Sequence, residues 1–417
     1  MTKNKSYQVI MKGYDWGPGN SKIVLNLQDK IVPFKEKTFR VQAEKEHTVY
    51  DFEKDTTTTK RQAKEIEVMD QYLSDAKGNR VENDSQFVTL ELEVHPANVF
   101  TNPYDYQYKS GLNTEVGIDY TLTQTKDLYT IDNKKLSHLE FTKTDKTETL
   151  KPEIKHFSKA TFAYSDATYG PIEFSYMYFV PEENQKERPL MILLHGAGEG
   201  GTNPEIPLYG NKGVALAAPS IQNYFNGAYV LAPQAKTMWM DDGTGEYTKE
   251  GTSKYTKALL HLIETFISEH KVNPKKVYLI GGSNGGFMTL KLLIEKSELF
   301  AAGVPICQAY HIDWVREEEL ETLKNIPMWF IHSVKDPVVP FDQTAEPIVN
   351  QLRELGAPEV KLSTYEDIKD TSGLYKDEEG QPYSYNNHWS WVHLFNDEVS
   401  INNQSVFKWL ASQSLEH

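Results

Sequence analysis

In the second half of the chain, short runs of continuous apolar residues alternate with segments whose apolar residues recur at steps of three and four. Few folds accept that pattern. Leu190-Met191-Ile192-Leu193-Leu194, Tyr229-Val230-Leu231-Ala232, Val277-Tyr278-Leu279-Ile280 and Pro327-Met328-Trp329-Phe330-Ile331 do not alternate with polar residues. This is how strands buried on both faces read. Between them, Tyr255, Ala258, Leu259, Leu262, Ile263, Phe266 and Ile267 repeat at the spacing of an amphipathic helix, which Asn273-Pro274 ends. Further helices are predicted over 287–295, 344–355 and 406–412, and a last strand over 360–363. Strand and helix in alternation build a mostly parallel α/β sheet flanked by helices.

The first ~150 residues follow a different period. Val88-Thr89-Leu90-Glu91-Leu92-Glu93-Val94 alternates apolar and polar side chains, as do Ser21–Leu27 and Ile118–Thr123, with turn clusters such as Gly17-Pro18-Gly19-Asn20 between such runs. An antiparallel sandwich over 1–150 and an α/β domain over 151–414 are expected, joined by a linker at Lys143–Pro152. A chain of 417 residues has room for both cores. Its net charge of -15 argues against nucleic acid or an anionic membrane as partner. The single cysteine, Cys307, precludes an internal disulfide and multi-cysteine zinc sites. No run is long enough to span a membrane, and MTKNKSYQVI has no apolar leader core. Leu415-Glu416-His417 reads as the start of a vector-encoded tag, so a leader removed by engineering, and hence secretion, is slightly favoured over the cytoplasm.

Gly281-Gly282-Ser283-Asn284-Gly285-Gly286 lies between a predicted strand and a predicted helix. It fits G-x-S-x-G in the context that gives the motif meaning. A sharp turn there lifts the Ser283 hydroxyl clear of the sheet's carboxyl edge, and the N-terminus of the following helix favours developing negative charge. A phosphate loop is the competing reading. It would need a Gly-Lys-Ser/Thr ending or the G-x-G-x-x-G order, and this stretch has neither.

A serine nucleophile needs an acid and a base after it in the chain, and an oxyanion hole. Asp336, in His332-Ser333-Val334-Lys335-Asp336-Pro337, follows a buried strand at the required edge, where Asp342 and Asp367 fit less well. His388, in Asn386-Asn387-His388-Trp389-Ser390-Trp391, sits on a loop before the last helix and is favoured as base over His393, which is expected to pack in the closing segment. Oxyanion donors are expected from the N–H of Asn284 and from the loop His195-Gly196-Ala197-Gly198-Glu199-Gly200-Gly201, with Ala197 first and Gly196 second. The same glycines spell G-x-G-x-x-G, but Asn203-Pro204 and Pro207 follow where a dinucleotide site would open a helix. His195 precedes the serine and is read as structural.

Together the His-Gly-x-Gly loop, the Gly-Gly-Ser-Asn-Gly-Gly elbow, the Lys-Asp-Pro acid loop and the His-x-Ser-Trp base loop resemble the esterase and prolyl-oligopeptidase-like branch of the α/β-hydrolases, over about 157–412. Gly13-Tyr14-Asp15-Trp16-Gly17-Pro18 and the strands after it resemble the immunoglobulin-like domain that precedes some bacterial secreted esterases. The resemblance implies carboxylic ester hydrolysis through an acyl-enzyme, without metal or cofactor. Two rivals are a prolyl-oligopeptidase-like peptidase, whose propeller ~150 repeat-free residues cannot build, and a binding module whose sandwich docks a polysaccharide or cell-wall partner with the hydrolase secondary or inert; a related alternative is a sandwich-targeted polysaccharide (acetyl or feruloyl) esterase. The partner expected is a small or polymer-linked ester, and the sandwich is a possible oligomer contact. Trp239, Tyr383, Trp389 and Trp391 are candidate pocket walls, with core packing as the alternative for each. Cys307 is read as a small core residue, and Asp241-Asp242-Gly243-Thr244-Gly245-Glu246 as a solvated acidic turn, since it lacks calcium-loop spacing.

Overall fold

Six of the apolar and mixed runs of the second half pair into one parallel sheet. The computed structural model describes residues 5–51, 53–182 and 186–415, and the chain divides into two units between Lys155 and His156. The second unit has an eight-stranded sheet in the order Phe157–Asp166, Gly170–Phe179, Tyr229–Gln234, Arg188–Leu194, Val272–Gly282, Ala302–Ile306, Met328–Ser333 and Val360–Tyr365. The first two strands are antiparallel to their neighbours and the other six run parallel. Helices Thr256–Glu269 and Asn284–Glu295 bury Leu259, Leu262, Phe266, Phe287 and Leu290 in the core built on this sheet. Full burial of each such side chain is worth ~1.5–3 kcal/mol.

Register sets where the chemistry can stand. Leu194 lies opposite Gly281, Gly281 opposite Pro305, and Ile306 opposite Ile331. The central strands therefore end in one row. The loops that begin at His195, Ser283, Cys307 and Val334 all open on the carboxyl edge, where ligands of parallel sheets bind.

The first unit is a sandwich of two sheets. One orders Glu148–Leu150, Tyr7–Tyr14, Gly17–Ile31, Ser85–Leu92 and Val68–Ser74; the other orders Glu140–Phe141, Ile118–Gln124, Phe39–Asp51 and Thr56–Ile66. Ile23, Leu25, Val88 and Leu90 of the first sheet share a core with Val41, Ala43, Tyr120 and Leu122 of the second. The alternation read in the sequence thus points its apolar half inward. The segment Lys143–Pro152 is not the free linker expected. Glu148–Leu150 pairs in parallel with Tyr7–Tyr14, and Glu153 accepts the Gly13 N–H at 2.6 Å. Thr149 and its polar neighbours suit a short edge strand, which ties the segment to the first unit.

Candidate active site

Ser283 adopts φ 56° and ψ -115°, a conformation few non-glycine residues take. Such strain costs about 1–3 kcal/mol and persists only where the surroundings enforce it. Here the Ser283 N–H donates to Ile306 O at 2.8 Å, which holds the turn against the next strand. The flanking glycines answer a crowding problem. A β-carbon on Gly285 would stand 1.9 Å from Leu194 O, and one on Gly281 2.2 Å from Gly285 O. Strand and helix pass too closely for any side chain. Gly282 is different: its β-carbon would meet only the Trp391 ring, at 3.5 Å. Within 281–286 all residues are buried except Ser283, which is half-buried.

His388 Nδ1 lies 2.8 Å from Asp336 Oδ2. A carboxylate only accepts, so Nδ1 carries a proton, and it is Nε2 that is left to exchange a proton with the serine. The other oxygen, Oδ1, accepts the N–H groups of Val338 (2.8 Å) and Val339 (2.9 Å). Burial works against ionisation of Asp336. The hydrogen bonds from His332 and His388, the charge of His388 and the Val339 N–H outweigh it and hold the carboxyl well below the usual range. Ser283 Oγ makes no hydrogen bond to His388 among the described residues; Cys307 connects the two halves of the site. Its sulfur, an Asp336 oxygen and a His388 nitrogen lie within 4.8 Å of one another, and the Ser283 backbone also interacts with the thiol. Burial, then the Asp336 charge, push the thiol up and keep it neutral. The competing residues are elsewhere engaged. Asp342 and Asp367 are exposed, and Asp367 faces Lys335 at 3.6 Å. His393 is bound to Glu398 at 2.9 Å and stacked on Tyr365.

The glycine loop at the neighbouring strand end is set by His195. Its Nε2 accepts the Ala235 N–H at 3.0 Å, which leaves Nδ1 to donate to Gly196 O at 2.6 Å. Burial holds this ring neutral, with its pKa lowered to about 4. The Gly196–Ala197 peptide is trans, so a carbonyl drawn toward His195 turns the Ala197 N–H the other way. The N–H groups of Ala197 and Asn284 donate no hydrogen bond among the described residues. That leaves both free to donate to an incoming oxygen.

Residues 6–137 match the family of esterase immunoglobulin-like N-terminal domains, and residues 176–373 match the phospholipase/carboxylesterase family. The crystal structure of a thermostable esterase superposes on 99% of this chain and 100% of its own, with a TM-score of 0.76 and 25% identity. The second unit is an α/β-hydrolase of the serine ester hydrolase type, and residues 176–373 of it carry the carboxylesterase-family match. A poly(3-hydroxybutyrate) depolymerase from Ralstonia pickettii is 27% identical over 152 residues. That match spans 34% of this chain and 30% of the depolymerase.

The aromatic residues of the hydrolase divide by burial. Trp239 is fully enclosed among Phe174, Tyr255 and His195, so it is a core residue and not a pocket wall. No ligand can touch an indole with no accessible surface, although Trp239 does support the ring that sets the glycine loop. Trp391 stands beside both the elbow and His388, 5.6 Å from the imidazole and nearly perpendicular to it. Half-buried Trp389 lies 6.1 Å from Trp391, and Tyr385 links it to half-buried Tyr383. Asp241 is not solvated as expected. It is buried, paired with Lys254 at 2.6 Å, and accepts the N–H groups of Gly243 and Gly245. Two groups that touch the acid, His332 and Cys307, look in the sequence like interior residues of apolar strands. Only their position at the strands' carboxyl ends set them apart.

Proposed function

We propose that the hydrolase cleaves carboxylic esters through an acyl-enzyme on Ser283. The observation that carries this reading is the buried 2.8 Å pair of His388 and Asp336, on the sheet edge where Ser283 is held in its strained turn. In the first step His388 Nε2 takes the Ser283 proton as Oγ attacks the ester carbonyl carbon. Asp336 stabilises the imidazolium and keeps it oriented. The N–H groups of Asn284 and Ala197 bind the oxyanion, a contribution of ~10²–10³ in rate per donor. Collapse expels the alcohol, protonated by His388, and a water activated by the same nitrogen releases the acid.

Turnover of p-nitrophenyl acyl esters should fall by ~10⁴-fold or more in Ser283→Ala, with folding unchanged by circular dichroism. Substantial residual activity would mean that the nucleophile is another residue. A proline-containing chromogenic peptide run in parallel separates the peptidase rival: cleavage of the peptide without the ester would sink the esterase reading. The depolymerase relative makes a polymer-linked ester the next substrate to assay after the soluble series.

A further inference from the structure

The acid of the site is held by a second imidazole. His332, in the strand Met328–Ser333, is wholly buried, and its Nε2 lies 3.3 Å from Asp336 Oδ2, the oxygen that His388 also uses. The same Nε2 lies 3.1 Å from Val339 O. Both neighbours can only accept, so Nε2 carries a proton, which it directs to Val339 O while standing against Asp336 Oδ2. Nδ1 is buried with no partner among the described residues. A proton there would leave an unpaired donor in the interior, so the ring is the neutral Nε2–H tautomer. The edge of its contact with Phe341, 5.4 Å between centroids, fixes the ring plane.

We propose that His332 is a positioning residue that sets the basicity of His388 through Asp336. This rests on the reading of Asp336 as the acid of the triad. The His388 N–H on Oδ2, the His332 N–H beside the same oxygen and two backbone donors on Oδ1 hold the carboxylate in one orientation. The His332 donor also draws charge from the oxygen that faces His388, and so keeps the imidazolium from becoming too stable to give its proton back. The other titratable group against Asp336 is Cys307, which stays neutral. Lys335, next in sequence, is engaged with Glu366 and Asp367.

The test is the pH dependence of kcat/KM on a soluble ester for the wild type, His332→Phe, His332→Gln and Asp336→Asn. Removal of the donor in His332→Phe strengthens the pull of Asp336 on His388, so the acid limb should move up, on the order of half a pH unit or more. kcat should fall about tenfold, the scale of one lost hydrogen bond to a charged group, with KM little changed. The Gln variant, which can present an N–H in the same place, should return the limb to its wild-type position. A limb that stays put in His332→Phe, or losses that are equal in the Phe and Gln variants, would overturn the proposal. Should Asp336→Asn keep its activity, the triad reading itself fails. A readout free of mutation is the histidine ¹⁵N spectrum of the wild type. His332 should remain a neutral Nε2–H ring across the range of activity; a charged or Nδ1–H ring overturns the inference.

Discussion

His195 shows how one buried ring can serve a site without touching substrate. It accepts from Ala235 and donates to Gly196, an arrangement open only to the neutral form. Burial lowers its pKa to about 4, against an ordinary value of about 6.5. Between those two values the unfolded chain binds a proton that the folded chain refuses. The contribution of His195 to stability is therefore complete above about pH 6.5 and lost as the pH falls toward about 4, on the order of 3 kcal/mol in all. Urea unfolding of the wild type should shift to lower midpoints across this window. In His195→Gln the same interval should be flatter, although the variant is less stable at neutral pH. Parallel slopes in the two proteins would place the acid sensitivity elsewhere.

At the scale of the element, the elbow is a crossing of backbones. Gly285→Ala would press a methyl group into Leu194 O, which belongs to a strand and cannot move aside. A loss of about 3 kcal/mol or more is expected by chemical denaturation, together with loss of ester turnover. Gly282→Ala, which meets only the Trp391 ring, should cost about 1 kcal/mol or less; equal losses in the two variants would refute the crowding account. This asymmetry was invisible in the sequence, where the four glycines look alike. What was legible depended on locality. Ser283 and Asp336 stand directly after apolar runs, so a one-dimensional pattern carries their place at the sheet edge. The Phe157–Phe179 hairpin of the catalytic sheet was not predicted, since Lys159, Thr161 and Glu173 interrupt it as they would an exposed loop. Lys143–Pro152 misled for the same reason: its polar composition suits a linker and an edge strand alike. His332 and Trp239 depend on contacts across many residues, which no periodicity records.

At the scale of the whole molecule, each unit has its own apolar core, and the candidate catalytic residues all belong to the second. The core of the first contains a lysine. Lys45 is 2% exposed, and its ammonium donates to the carbonyls of Val99, Asn102 and Tyr104 at 3.3, 2.8 and 2.9 Å. Burial lowers its pKa to about 8, against the opposing charge of Asp105. An unfolded lysine keeps its proton to about pH 10.4. From pH 8 to 10.4 the unfolded chain thus holds more protons, and the cost of burying this cation, present in full below pH 8, is relieved as the pH rises. Lys45→Met removes that dependence and leaves three carbonyls without their donor, each worth roughly 1–3 kcal/mol if it finds no other partner. Amide exchange of the Phe39–Asp51 strand, followed through urea titrations at neutral and alkaline pH, reads the first unit directly. The variant should be the less stable at both, and the wild type should gain on it as the pH rises. Turnover of a soluble ester at 25 °C should be unchanged, since Ser283, Asp336 and His388 stand on the other core. If the gap between the two proteins narrowed with pH, Lys45 would be charged in the fold well above pH 8, and the three carbonyls would stabilise it more than burial costs.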